Sequence, residues 1–471
     1  MWRFGVLALV GCDAVFALPH IREQPDVDAA DTRGVTGRYG VLVIEPDDFG
    51  GYLPPREQTV PTPFEVVLDD GDRPAITSDE NFQFAFSRNR DGQSYRLRYT
   101  PYGTSTPAVA ITAARDLELF STLFGRYERE PITKPTLLTV TFPQMQQTAY
   151  AFSTGLRTSA QINETPTPLS SVAIDWMTQP PLSGLRGLPS ATEHDRFYLA
   201  EYVLIGGVGA YYAIEKIASA PLTLADGAPA TLNMTPALAP LGRCVRLTAG
   251  RSAEQDRLRA ALPPASVEAM WSIEATPDPM VSPRGGLLLA YEDTTTTSDF
   301  QEDVRYPNPF AGERQVVRML TKATYDLSGH TVTAYTEHFA PLPVTDVCDA
   351  ASAVTIAGSV AIPNAVTIDD QPAQGSVAVG TGRIAFALGG GGSADYFAVE
   401  VLDAQTFATT VRYLNTEPTV TVDPGSLQPG STYLLRLLAI QGAPGARTGD
   451  FRPIAFPYGI AVTYAGPFSV Q

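Results

Sequence analysis

Cysteine, histidine and tryptophan are scarce in this sequence: three, four and three of them are spread over 471 residues. Zinc-type centres draw on Cys and His at short spacings, and no such cluster occurs here. Positive charge is also short, with 33 Lys and Arg against 50 Asp and Glu, a net charge of −17. So acidic a surface repels a phosphate backbone, which argues against nucleic acid as a partner. Its ordinary consequence is solubility. No apolar run approaches the roughly 20 residues of a transmembrane helix. There is no Gly-x-Ser-x-Gly elbow, and in "LIGGVGAYY" Tyr212 stands where a dinucleotide-binding fingerprint needs its third glycine.

Turn formers and β-formers are abundant instead. Forty prolines and 39 glycines are distributed over the whole length, which suits many short strands joined by turns. Thr, Val, Tyr and Phe recur and fit a pleated, half-buried surface. The expected fold class is mainly β: serial β-sandwich domains of immunoglobulin-like or fibronectin III-like type, with one or two short helices.

The chain opens "MWRFGVLALVGCDAVF". Arg3 supplies a positive start, Phe4 to Val10 a short apolar run, and small Gly11 precedes Cys12. These residues resemble the lipobox of bacterial lipoprotein signal peptides, with Leu9, Val10 and Gly11 leading to Cys12. The resemblance implies a diacylglycerol on the Cys12 thiol, cleavage after residue 11, and attachment to the membrane by lipid. It places the chain outside the cytoplasm, in the bacterial cell envelope on its periplasmic or surface face. The other reading of these residues is a buried strand or helix with Cys12 as a small core side chain. Residues 12–37, poor in large apolar side chains, read as a flexible tether. The remaining cysteines, Cys244 and Cys348, fit one disulfide in an oxidising compartment, or two separate buried thiols.

Three folded regions are expected, at 38–131, 132–346 and 351–471. In the first, Phe82, Phe84 and Phe86 alternate with small or polar residues, as do Tyr95, Leu97 and Tyr99 beyond Asp91-Gly92. That pattern predicts a β-hairpin. "ARDLELFSTLFG" at 114–125 spaces Leu117, Phe120 and Phe124 as a helix would. The middle region reads as one elaborated domain or two small ones. Its clearest elements are a hairpin around Ser328-Gly329 and a helix opened by a Ser252-x-x-Gln255 capping box. In the last region "SLQPGSTYLLRLLAI" resembles the corner between two strands of a fibronectin type III domain, on Leu427, Pro429, Gly430 and Tyr433. The resemblance implies that the Tyr433 hydroxyl bonds back to the corner backbone and puts Phe386 where that family carries tryptophan. "GGGG" at 389–392 then becomes a flexible loop between strands.

Chemistry-bearing clusters are few. Asp69, Asp70 and Asp72 in one loop, and Asp293, Asp299 and Asp303 near Glu292 and Glu302 in another, are candidate ligands for Ca2+. Glu193, His194 and Asp195 could meet Glu337 and His338 in a metal or acid–base site. Neighbours in sequence face opposite ways on a strand, however, and His330 and His338 would stand roughly 26 Å apart along one. No catalytic set emerges, so the expected function is non-catalytic: binding, adhesion or scaffolding, with an envelope protein or a glycan as partner. Two alternatives stand beside it. One is a secreted hydrolase, such as a glycosidase, whose catalytic part is the middle region and whose first aromatics would be Trp176, Trp271, Tyr211 and Tyr212. The other is a carbohydrate-binding module.

Overall fold

The computed structural model describes residues 33–471 except 45–55, 61, 80–82, 125–129, 148, 155–162, 179–186, 206–210, 240–241, 263–264, 277–285, 292–298, 311–312, 424 and 453–454. Cys12 and the lipobox lie outside the described residues, as does Asp293. The fold is mainly β, and Arg251–Ala261 is its one α-helix among the described residues.

A single seventeen-stranded sheet forms the spine, and four smaller sheets of five, four, three and three strands complete the layers. The hydrophobic clusters show why. Each small sheet turns an apolar face onto a different stretch of the spine, so that four sandwich cores form side by side. Along the spine the middle region comes first. The hairpin Arg314–Leu327 and His330–Pro341 then pairs with Tyr458–Val470 of the last region. At the far side of that last region, Thr409–Asn415 pairs in parallel with Ala108–Thr112 of the first region. The sandwiches therefore lie in series, but their order in space is first, last, middle. The middle region carries two cores. One gathers Leu138, Val140, Ile174 and Trp176; the other gathers Val245, Leu247, Trp271 and Val317.

Several expectations need correction. Gln83–Ser87 and Tyr95–Tyr99 alternate as expected, burying Phe84, Phe86, Tyr95, Leu97 and Tyr99. They do not form a hairpin: Gln83–Ser87 pairs with Gly34–Ile44, whereas Tyr95–Tyr99 pairs with Glu65–Leu68 and Ala108–Thr112. The two strands face each other across the core, with the Phe86 and Tyr95 rings edge to face at 5.0 Å. The connection is held by buried Arg88, whose guanidinium donates to the carbonyls of Ala113 (2.8 Å) and Arg33 (3.3 Å). The segment expected as a helix at 114–125 contains the strand Asp116–Phe124, parallel to Gly34–Ile44. Leu117 and Leu119 are fully buried there, while Phe120 lies under the guanidinium groups of Arg38 and Arg452, at 5.7 and 5.0 Å. The end of the expected tether, from Gly34, is already strand.

In the last region the Tyr433 hydroxyl accepts the Gln428 N–H at 3.0 Å, closing the turn before the strand Thr432–Gln441. Phe386 packs edge to face with Phe397 at 5.3 Å. The glycine run is not a free loop. A Cβ on Gly392 would run into the Ser359 and Val360 backbone, one on Gly389 would stand 2.6 Å from the Asn364 amide nitrogen, and the Gly390 carbonyl accepts from Arg257 Nε at 2.7 Å. Cys244 and Cys348 are joined as a disulfide with Cα atoms 5.2 Å apart.

Candidate functional site

Strand alternation and burial decide where each chemistry-bearing side chain goes. The strand His330–Pro341 is covered on both faces from Thr336 to Phe339. Thr336 and His338 face the helix Arg251–Ala261, whereas Glu337 faces the other way. On the helix side Glu254 is fully buried. Its Oε1 accepts from the Thr336 hydroxyl at 2.6 Å and lies 3.0 Å from His338 Nε2, and its other oxygen pairs with Arg257. Burial alone would raise this carboxyl. The His338 hydrogen bond and charge, the Thr336 hydroxyl and Arg257 outweigh it and set it at about 2. Arg257 then donates onward to the Gly390 and Val360 carbonyls, at 2.7 and 2.5 Å, so this network ties the middle region to the last.

The helix itself starts differently from the expected capping box. Gly250 is its N-cap and offers no side chain. Asp299 reaches in from outside the helix instead, accepting from the Ser252 N–H at 3.0 Å and the Ser252 hydroxyl at 2.7 Å.

On the opposite face of the spine Arg318 stands between Glu337, with which it pairs, and Glu274 at 3.5 Å. Both carboxylates are buried. Burial works against the Arg318 charge, but Glu274 and Glu337 more than restore it. A third buried carboxylate, Glu400, sits opposite Arg412 and Arg436 on its two neighbouring strands and accepts from Arg412 Nε at 2.6 Å and Arg436 Nε at 2.5 Å. These pairs fix strand to strand.

The remaining candidates are engaged locally. Asp69 accepts from Gln93 at 2.7 Å and Arg90 at 2.9 Å, Asp70 from Asn89 at 3.0 Å and Gln93 at 2.7 Å, and Asp72 from Asn89 at 2.6 Å. Those bonds, Asn89 first, hold the Asp70 carboxyl below its ordinary value. Asp303 is bidentate to Arg246 at 2.8 and 3.2 Å. Among the described residues no three His, Cys, Asp or Glu side chains are grouped to hold a metal. Asp195 is buried and accepts the Ser190 N–H at 2.8 Å, at the end of the short turn Ala191–Glu193, where His194 is left-handed with φ 63°. The structure gives Asp195 and His338 different partners and does not bring the two polar segments into one group. Trp176 and Trp271 are core side chains, each 1% exposed.

A solvent-open cleft forms elsewhere, at the seam between the first and last regions, with a volume of about 480 Å³. Arg98 enters from the strand Tyr95–Tyr99. Asp403 ends the strand Tyr396–Asp403, Thr410 lies near the start of the strand Thr409–Asn415, and Ser426, Gln428, Ser431 and Tyr433 come from the tyrosine-closed corner. The Arg98 side chain is 45% exposed, and it stands 4.0 Å from Asp423, whose other oxygen is taken by Arg96 at 3.0 Å. The Asp403 carboxylate caps its own turn, accepting from the Thr406 N–H and hydroxyl, both at 2.8 Å, which lowers its pKa. Of these cleft residues only Tyr433 stood out in the sequence. Arg98 and Ser431 are 333 positions apart and meet only because the first and last regions share the spine.

No protein-family model and no curated protein matches the chain. Among solved structures, the native conformation of E. coli alpha-2-macroglobulin aligns with 93% of this chain, at 10% identity and a TM-score of 0.12. The alignment covers 29% of that protein, and at this score it carries no argument about fold or function.

Proposed function

We propose that this chain is a non-catalytic, lipid-anchored cell-envelope protein that binds an extracytoplasmic partner. The observation that carries the reading is the unbroken spine sheet. It holds four sandwiches together and creates, where the first and last regions meet, an open cleft lined by an arginine, hydroxyls and an amide. Ligand sites favour such seams between domains. The buried carboxylates support the same reading, because Glu254, Glu274, Glu337 and Glu400 each join one strand or helix to the next through an arginine or histidine.

The anchor rests on Leu9-Val10-Gly11-Cys12. Expression of the full chain in a bacterial host, with intact-mass measurement of the purified protein, tests it. The expected product begins at an acylated Cys12, and Cys12→Ala moves the chain from the membrane to the soluble fraction. Recovery of an intact Met1 with an unmodified Cys12 would refute the anchor.

A further inference from the structure

The cleft has a definite chemical character. Its surface is mostly hydroxyl, amide and charge, from Thr410, Ser426, Ser431, Gln428, Arg98 and Asp403, with Val411, Gly425 and Tyr433 completing the lining. A guanidinium presents donors in a planar fork that matches a carboxylate, and Arg98 meets its neighbour Asp423 only at 4.0 Å. Asp403 lines the same cleft and offers an acceptor to a ligand hydroxyl. One carboxylate together with several hydroxyls is the constitution of an acidic sugar.

We infer that the cleft binds a short acidic saccharide, with a uronate carboxylate on Arg98 and ring hydroxyls on Ser426, Ser431 and Asp403. The inference rests on the binding-protein reading above and adds the class of ligand.

Calorimetric titration of the full chain in detergent with digalacturonate, with the neutral digalactose, and with inorganic phosphate tests it. Digalacturonate is expected to bind more tightly than either comparison, and more weakly as salt rises. Arg98→Met is expected to weaken digalacturonate about tenfold or more, the size of a lost charge-assisted hydrogen-bond pair, while leaving digalactose unchanged. Ser431→Trp, which fills the cleft, is expected to abolish binding, and both variants should keep the wild-type thermal transition. Absence of digalacturonate binding, or equal affinity for it in wild type and Arg98→Met, would overturn the assignment. Tighter binding of phosphate would overturn it as well. Digalactose binding as tight as digalacturonate, and lost in Ser431→Trp, would overturn the acidic class while leaving the binding-protein reading in place.

Discussion

Replacing Glu254 by glutamine removes the charge from the joint between the middle and last regions and leaves its size almost unchanged. Glu254 is fully buried, and its carboxylate serves Thr336, His338 and Arg257 together. Its pKa is lowered from 4.5 to about 2. A carboxyl lowered in the folded state holds its proton more weakly there than in the unfolded chain. Its stabilising contribution is therefore complete above the unfolded value and is lost as pH falls through the folded value, here between about pH 5 and pH 2. At about 1.4 kcal/mol per unit, the shift amounts to about 3 kcal/mol. That agrees with the loss expected when one partner of a buried ion pair is removed, about 3–5 kcal/mol. Urea unfolding of wild type and Glu254→Gln, followed across the pH range, reads the difference directly. The gap should be about 3 kcal/mol at neutral pH and should shrink steadily on acidification below about pH 5. A gap that stays constant down to about pH 2.5 would refute the electrostatic account of the joint.

Three further outcomes follow from the packing. Tyr433→Phe deprives the Gln428 N–H of its acceptor and should cost about 1 kcal/mol, read as a lower thermal midpoint. Reduction of the Cys244–Cys348 bond, which spans 104 positions, should cost about 4–5 kcal/mol in the chain-entropy account, read from unfolding with and without dithiothreitol. Gly392→Ala forces a Cβ against the Ser359 and Val360 backbone and should cost about 1–3 kcal/mol, with a matching fall in urea midpoint.

Local alternation was legible in the sequence, and long-range pairing was not. Phe84, Phe86, Tyr95, Leu97 and Tyr99 announce two half-buried strands, yet nothing local says that the chain crosses from one sheet to the other at Arg88. That choice is made by carbonyls at Ala113 and Arg33, far away in sequence. The segment around Leu117 and Phe120 misled for a related reason. Its apolar spacing fits a helix, but Phe120 is accommodated under Arg38 and Arg452 rather than in a core, and Gly34–Ile44 supplies a parallel partner some 80 positions away. The sequence allowed Glu193, His194 and Asp195 to meet Glu337 and His338 in one site, but Glu337 turns to Arg318 and His338 to Glu254 on opposite faces of their strand. The corner tyrosine was visible because its bond is made within five residues. Arg98 was not, because only the parallel pairing of Ala108–Thr112 with Thr409–Asn415 brings it to the loops of the last region.

The first described strand, Gly34–Ile44, lies alongside Asp116–Phe124 in the same direction from Thr36 to Ile44. A tug arriving from the amino end pulls that strand along its own length, so its rungs are loaded together in shear rather than opened one after another from an end. Whatever tension reaches the folded part from that side is borne by this seam, whose Tyr39, Val41, Leu117 and Leu119 also belong to the core of the first region.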